Sequence, residues 1–248
     1  MKGILHDIAA AFQFLTRLPL NRLAYQPDAL SRAAKFFPLV GLAIGVAAAG
    51  IYYLLSPHLP SEIVALLIVL FSALATGAMH EDGLADTADA LGGGWDRQQA
   101  LDIMKDSRIG CYGALAIVFS VAARVLLLAS IPSGIVAQYL VSAEVLCRWT
   151  IVPLGAALPG ARNHASQGGR IAGRISRVSL AVGTLTAFCV VACLLRVSMW
   201  KPFAAASVVT LLSGLYYRHR ISGVTGDCFG ATCQLTLVAV YLCGVWHG

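Results

Sequence analysis

The chain has 248 residues, of which 58% are apolar and only 12% charged, with a mean hydropathy of +0.76 and a formal net charge of +6. Such a composition lies outside the range of soluble globular domains and specifies an integral membrane protein. The positive balance does not point to nucleic acid, because the basic residues are spread by loop, without aromatic interleaving or a recognised binding motif.

The first twenty residues, "MKGILHDIAAAFQFLTRLPL", have no uninterrupted apolar core and no small-residue cleavage site. Ile4, Leu5, Ile8, Phe12 and Leu15 fall on one helical face, which predicts an interfacial amphipathic helix and not a signal peptide. Beyond it, apolar runs near the ~20 residues that cross ~30 Å of hydrocarbon recur. They fall roughly at 33–55, 61–79, 111–131, 134–158, 178–196, 200–217 and 229–246. The expected fold class is all-α: a polytopic helical membrane bundle with about seven transmembrane helices, forming one domain over 1–248.

Loop charge sets the expected orientation. With the N-terminus inside, the inner side receives Lys2, Arg17, Arg22, Arg32, Lys35, Arg97, Lys105, Arg108, Arg162, Arg170, Arg174, Arg177, Arg218 and Arg220. The outer side keeps Arg196 and Lys201, and fourteen against two places the C-terminus outside. The seven cysteines form no CxxC pair, and Cys147, Cys189, Cys193 and Cys243 lie in predicted spans, so neither a disulfide framework nor a zinc site is expected.

Between the second and third spans, Met79 to Gly110 packs seven of the twelve carboxylates into 32 residues, on the inner side. Asp82, Asp86 and Asp89 are spaced i, i+4, i+7, which puts them on one face of a helix continuing from the second span. Like charges so placed repel unless a divalent cation sits among them, and carboxylate oxygens are preferred ligands of Mg²⁺ and Mn²⁺. Glu81 is a further candidate ligand beside them. A solvated acidic loop is the alternative. Lys105, Asp106, Ser107 and Arg108 follow just before the third span. The two bases suit a cation-bridged phosphate, although positive-inside flanking also explains bases here.

Two further polar sites lie downstream. Glu144 and Arg148, four residues apart in the fourth span, can pair on one face, and Arg124 of the third span can join them; they are a structural ion pair or a substrate contact. Thr225, Gly226, Asp227 and Gly230 open the last span, where a flexible backbone lets a phosphate or cation approach a helix N-terminus. The alternative for Asp227 is an N-cap.

These residues together resemble the cobalamin synthase family, the adenosylcobinamide-GDP ribazoletransferases. The resemblance covers nearly the whole chain, through "FLTRLPL", "KFFPLVGLAIG", "HEDGLADTADALGG", "IMKDSRIGCYGALA" and "TGDCFGA" in the family's order. Two departures stand out. Glu81 occupies a position where members commonly carry Leu, and Gln234 stands where a Glu-containing continuation is expected.

The resemblance implies transfer of the adenosylcobinamide phosphate moiety from adenosylcobinamide-GDP to α-ribazole or its 5′-phosphate, with release of GMP. It implies Mg²⁺ as cofactor, held by Asp82, Asp86 and Asp89, with Asp106 as a further ligand or as the base for the ribose hydroxyl. Lys105 and Arg108 would steady the phosphates, and Thr225, Asp227, Glu144 and Arg148 would contact substrate. The implied setting is the bacterial cytoplasmic membrane with the site facing the cytoplasm, membrane lipid around the chain and a homo-oligomer permitted. The site chemistry is also similar to that of CDP-alcohol phosphotransferases, the second enzyme class considered, but the later Gly-x-x-x-Asp-x-x-x-Asp block is missing. An aspartate-rich prenyltransferase would carry two such clusters. A transporter built on Glu144, Arg148 and Arg124 would carry its acids inside the bilayer and not in one loop.

Overall fold

The computed structural model describes residues 2–18, 29–161 and 171–246. Arg22, Arg162 and Arg170 of the inner-side charge, and Pro19 and Leu20 of the first motif, lie outside the described residues. Eleven α-helices run through the described residues, and no strand appears among them.

The amphipathic segment is helix α1 (Lys2–Leu15). Ala10, Ala11 and Leu15 turn inward while Ile4 and Leu5 stay exposed. Buried Asp7 ties this helix to the next segment through Lys35 at 3.1 Å and Arg32 at 3.4 Å. Then come α2 (Ala29–Ala33) and α3 (Phe37–Leu55), followed by α4 (Ser61–Thr76) and α5 (Met79–Gly93). The chain continues with α6 (Arg97–Ile103), α7 (Cys111–Ser130), α8 (Val136–Ala157), α9 (Arg177–Leu195), α10 (Trp200–Ile221) and α11 (Gly226–Val245).

Helix α8 is the central post, buried along most of its length. Helix α3 reaches it through small residues one turn apart. A β-carbon on Gly41 would stand 2.2 Å from the Glu144 carbonyl oxygen, and one on Gly45 would stand 2.7 Å from Val141 Cα. Close backbone approach of this kind supplies packing where lipid removes the hydrophobic drive for helix association. The stripe of small residues is thus used within the chain, on α8.

The sequence predicts one helix running from the second span into the acidic stretch, but the structure breaks it. Gly77 (φ 66°) and Ala78 (φ 56°) are both left-handed, and α5 leaves α4 at 89°. Gly77 ends α4 as a left-handed cap donating to Ala73 and Leu74, a conformation glycine adopts without penalty. The same conformation at Ala78 costs about 1–3 kcal/mol, so surrounding contacts must hold the elbow.

By length and composition five segments suffice to cross a membrane, or six when α4 and α5 count together. The expected seven is not what that criterion returns, because Arg177–Ile221 registers as one 45-residue segment. That segment is interrupted at Arg196 (φ 50°) and folds back on itself. Trp149 of α8 meets both Thr184 of α9 at 3.1 Å and Phe203 of α10 at 4.9 Å. From there Gly183 of α9 lies beside Val152, whereas Gly214 of α10 lies beside Leu154 and Leu158, so the two helices pass α8 in opposite directions.

Candidate functional site

Helix α5 carries the acidic residues, and its placement depends on a crossing with α11 that only glycine allows. A β-carbon on Gly83 would stand 2.8 Å from the Asp227 carbonyl oxygen and 3.0 Å from its Cα; one on Gly230 would stand 3.1 Å from His80 Cα. The first turn of α11 therefore lies against α5 between Asp82 and Asp86. Asp82 is exposed, and Asp86 and Asp227 are half-buried, so three carboxylates from two helices flank one crossing that opens to water.

Thr225 is the N-cap of α11: its hydroxyl accepts from Cys228 N at 3.3 Å and lies 3.2 Å from Asp227 Oδ2. This corrects the N-cap alternative for Asp227, which sits inside the first turn, where the helix dipole favours a carboxylate. Asp227 is thus free of the capping duty that its sequence position allowed.

Asp89 takes a different place from Asp82 and Asp86, although the three share a helical face. It is buried, and its two carboxylate oxygens accept from Gly110 N at 2.7 Å and Gly113 N at 2.9 Å. It caps the N-terminus of α7 from another helix. Both glycines are needed, since a β-carbon on either would stand 2.3 Å from a carboxylate oxygen. Glu81 faces α7 as well and pairs with buried Arg124 at 3.1 Å. The structure gives Arg124 to Glu81, not to the Glu144–Arg148 pair.

That second pair is formed within α8, and Ser72 Oγ of α4 donates to Glu144 Oε1 at 2.9 Å. Both side chains are 2% exposed, which seals them from a ligand arriving from the cytoplasm. Two acids and two bases thus balance in the bundle interior, and buried Gln234 sits in the same layer, accepting from Ser120 at 3.4 Å.

The loop 104–110 stands outside the spans. Lys105 pairs with Asp102 at 3.5 Å, and Arg108 grips both oxygens of Asp106, its Nε lying 3.0 Å from each. The guanidinium holds the Asp106 carboxyl down to about 2.

Arg97 and Arg220, counted in the sequence only as flanking charge, complete the frame. Arg220 Nη2 donates to the carbonyls of Leu91 at 3.1 Å and Gly94 at 2.7 Å, at the end of α5. Arg97 donates to Ile221 and Ala161 at 3.0 and 2.8 Å, fixing α6 to the loops before α11 and after α8. Neither role is visible without the fold, because each partner is a carbonyl more than sixty residues away.

Among the described residues no three of His, Cys, Asp and Glu stand close enough together to hold a metal ion. Hard oxygen donors on an open face suit Mg²⁺ nonetheless, since it keeps several waters and is usually completed by substrate phosphates.

The fold and site define a helical membrane protein with a carboxylate-lined, water-facing crossing of two helices. Sequence comparison makes the assignment specific. The pattern of the cobalamin-5-phosphate synthase family matches residues 7–245, and the chain belongs to this family. Similar curated proteins are the adenosylcobinamide-GDP ribazoletransferases of Polaromonas sp. (strain JS666), 36% identical over 94% of this chain and 93% of that one, and of Rhizobium meliloti, 40% identical over 94% of each. That of Azorhizobium caulinodans is 41% identical over 98% of this chain and 96% of its own. No solved structure matches. The chain is a transferase of cobalamin biosynthesis.

Proposed function

We propose that the chain transfers the adenosylcobinamide phosphate moiety of adenosylcobinamide-GDP to α-ribazole or α-ribazole 5′-phosphate, releasing GMP, at the cytoplasmic face of a bacterial inner membrane. The names of its relatives supply the two substrates, adenosylcobinamide-GDP and ribazole. The observation that supports the reading is the close α5–α11 crossing at Gly83 and Asp227, with exposed Asp82 and half-buried Asp86 next to it on α5.

In this reading Asp82, Asp86 and Asp227 hold Mg²⁺. The cation supplies neutralisation of the diphosphate and of charge developing on the leaving GMP. Asp227 enters the set in place of Asp89, whose oxygens are spent on α7. Arg108, already prepared in a forked geometry on Asp106, exchanges that carboxylate for a substrate phosphate, and Lys105 does the same from Asp102. The ribose hydroxyl attacks phosphorus directly, so no covalent enzyme intermediate forms. Glu81, Arg124, Glu144 and Arg148 hold the helices in register and do not touch substrate.

The test is GMP release by purified protein with adenosylcobinamide-GDP, α-ribazole 5′-phosphate and Mg²⁺. Turnover that stops with EDTA and returns with Mg²⁺ is expected. Release at an undiminished rate in EDTA removes the metal from the account, and no release under any condition removes the activity.

A further inference from the structure

We propose that Arg17 is a phosphate-binding residue of this site, placed at the α4–α5 elbow to meet the diphosphate of the nucleotide-activated substrate; the inference rests on the function proposed above. Arg17 follows α1, and its backbone N–H donates to the Ala75 carbonyl at 2.9 Å, anchoring it to the last turn of α4. Its side chain then runs across the elbow. A β-carbon on Gly77 would stand 1.9 Å from Arg17 Nε and 2.8 Å from Cγ and Cδ, so the Arg17 stem lies directly over this glycine, whose φ is positive.

The exposed stripe of α5 begins where that stem crosses. Ala78, Asp82 and Asp86 are spaced i, i+4 and i+8; the first two are exposed and the third half-buried. From Ala78 to Asp82 a helix rises about 6 Å, which is within the reach of an arginine side chain held at the elbow. Arg17 is itself exposed, and among the described residues no carboxylate pairs with it.

Of the other cations, Arg97 and Arg220 lie on backbone carbonyls and Arg32 and Lys35 on Asp7, whereas Lys105 and Arg108 reach a phosphate only by leaving Asp102 and Asp106. A guanidinium fork without an acidic partner, held over Gly77 one helical turn before Asp82, presents the donors that a diphosphate at this face needs. The ligand class is a nucleoside diphosphate or its ester.

The test uses the full chain in lipid nanodiscs and GDP as probe, with binding measured by calorimetry in Mg²⁺ for wild type, Arg17→Lys and Arg17→Ala, beside GMP release and thermal unfolding. Loss of one charge-assisted contact should weaken GDP binding by about tenfold or more in Arg17→Ala, with a smaller loss in Arg17→Lys. The melting temperature should stay at the wild-type value. Should Arg17→Ala unfold, Arg17→Gln retains the stem over Gly77, drops the charge and carries the same expectation. A folded Arg17→Ala or Arg17→Gln protein that binds GDP like wild type, in a preparation whose wild type binds GDP and releases GMP, overturns this inference alone. Wild-type protein that neither binds GDP nor releases GMP overturns the proposed function as well.

Discussion

Asp89 and Asp82 show how one repeat of the same side chain is divided between structure and chemistry. Both lie on one face of α5, yet Asp89 is covered by the start of α7 and accepts two backbone N–H groups, whereas Asp82 meets water. Leaving the buried Gly113 N–H without an acceptor costs about 1–3 kcal/mol, and the part-buried Gly110 N–H adds less. Asp89→Ala should therefore lower the melting temperature in detergent clearly, and any residual folded protein should keep a wild-type Mg²⁺ dependence of GMP release. A variant of unchanged stability that needs far more Mg²⁺ would return Asp89 to the metal site.

At the scale of elements, the site depends on how closely α5 and α11 approach. Gly83→Ala places a methyl group 2.8 Å from a backbone oxygen, an atom that cannot move aside without shifting α11. Overpacking of this kind costs about 1–3 kcal/mol. Because Asp227 moves with α11, GMP release should fall further than the folded fraction does. Activity that simply tracks the folded fraction would mean that the crossing is packing only.

Much of this arrangement was legible in the sequence. The apolar runs gave the helices, the Asp spacing gave the acidic face, and Glu144–Arg148 at i, i+4 gave its own ion pair. The elbow at Gly77–Ala78 was not legible, since alanine in a left-handed conformation is imposed by tertiary contacts. Nor was the partnership of Glu81 with Arg124, 43 residues apart. Helical spacing reports which residues share a face, but not which neighbour covers it, and that difference separated Asp89 from Asp82.

For the whole molecule, the loop asymmetry of basic residues and the reversal of direction between α9 and α10 predict a topology. With α4 and α5 counted as one and the α9–α10 hairpin as two, the prediction is seven crossings with the N-terminus inside. A reporter fused after Gly248 should then read as external, and one inserted in the 161–177 loop as cytoplasmic. Both reporters on one side would show that the hairpin does not traverse the bilayer.

The central claim is that Asp227 joins Asp82 and Asp86 across two helices to act on the substrate. It is tested most directly by Asp227→Asn, since Thr225, not Asp227, caps α11. The substitution keeps the size of the side chain and removes the charge that a hard cation requires. An interaction made in the reacting complex is lost from the rate and not from the fold. GMP release by the purified variant should therefore fall by orders of magnitude, while its melting temperature in detergent stays at the wild-type value. A well-folded Asp227→Asn protein that releases GMP at the wild-type rate, at limiting as well as saturating Mg²⁺, would contradict the account.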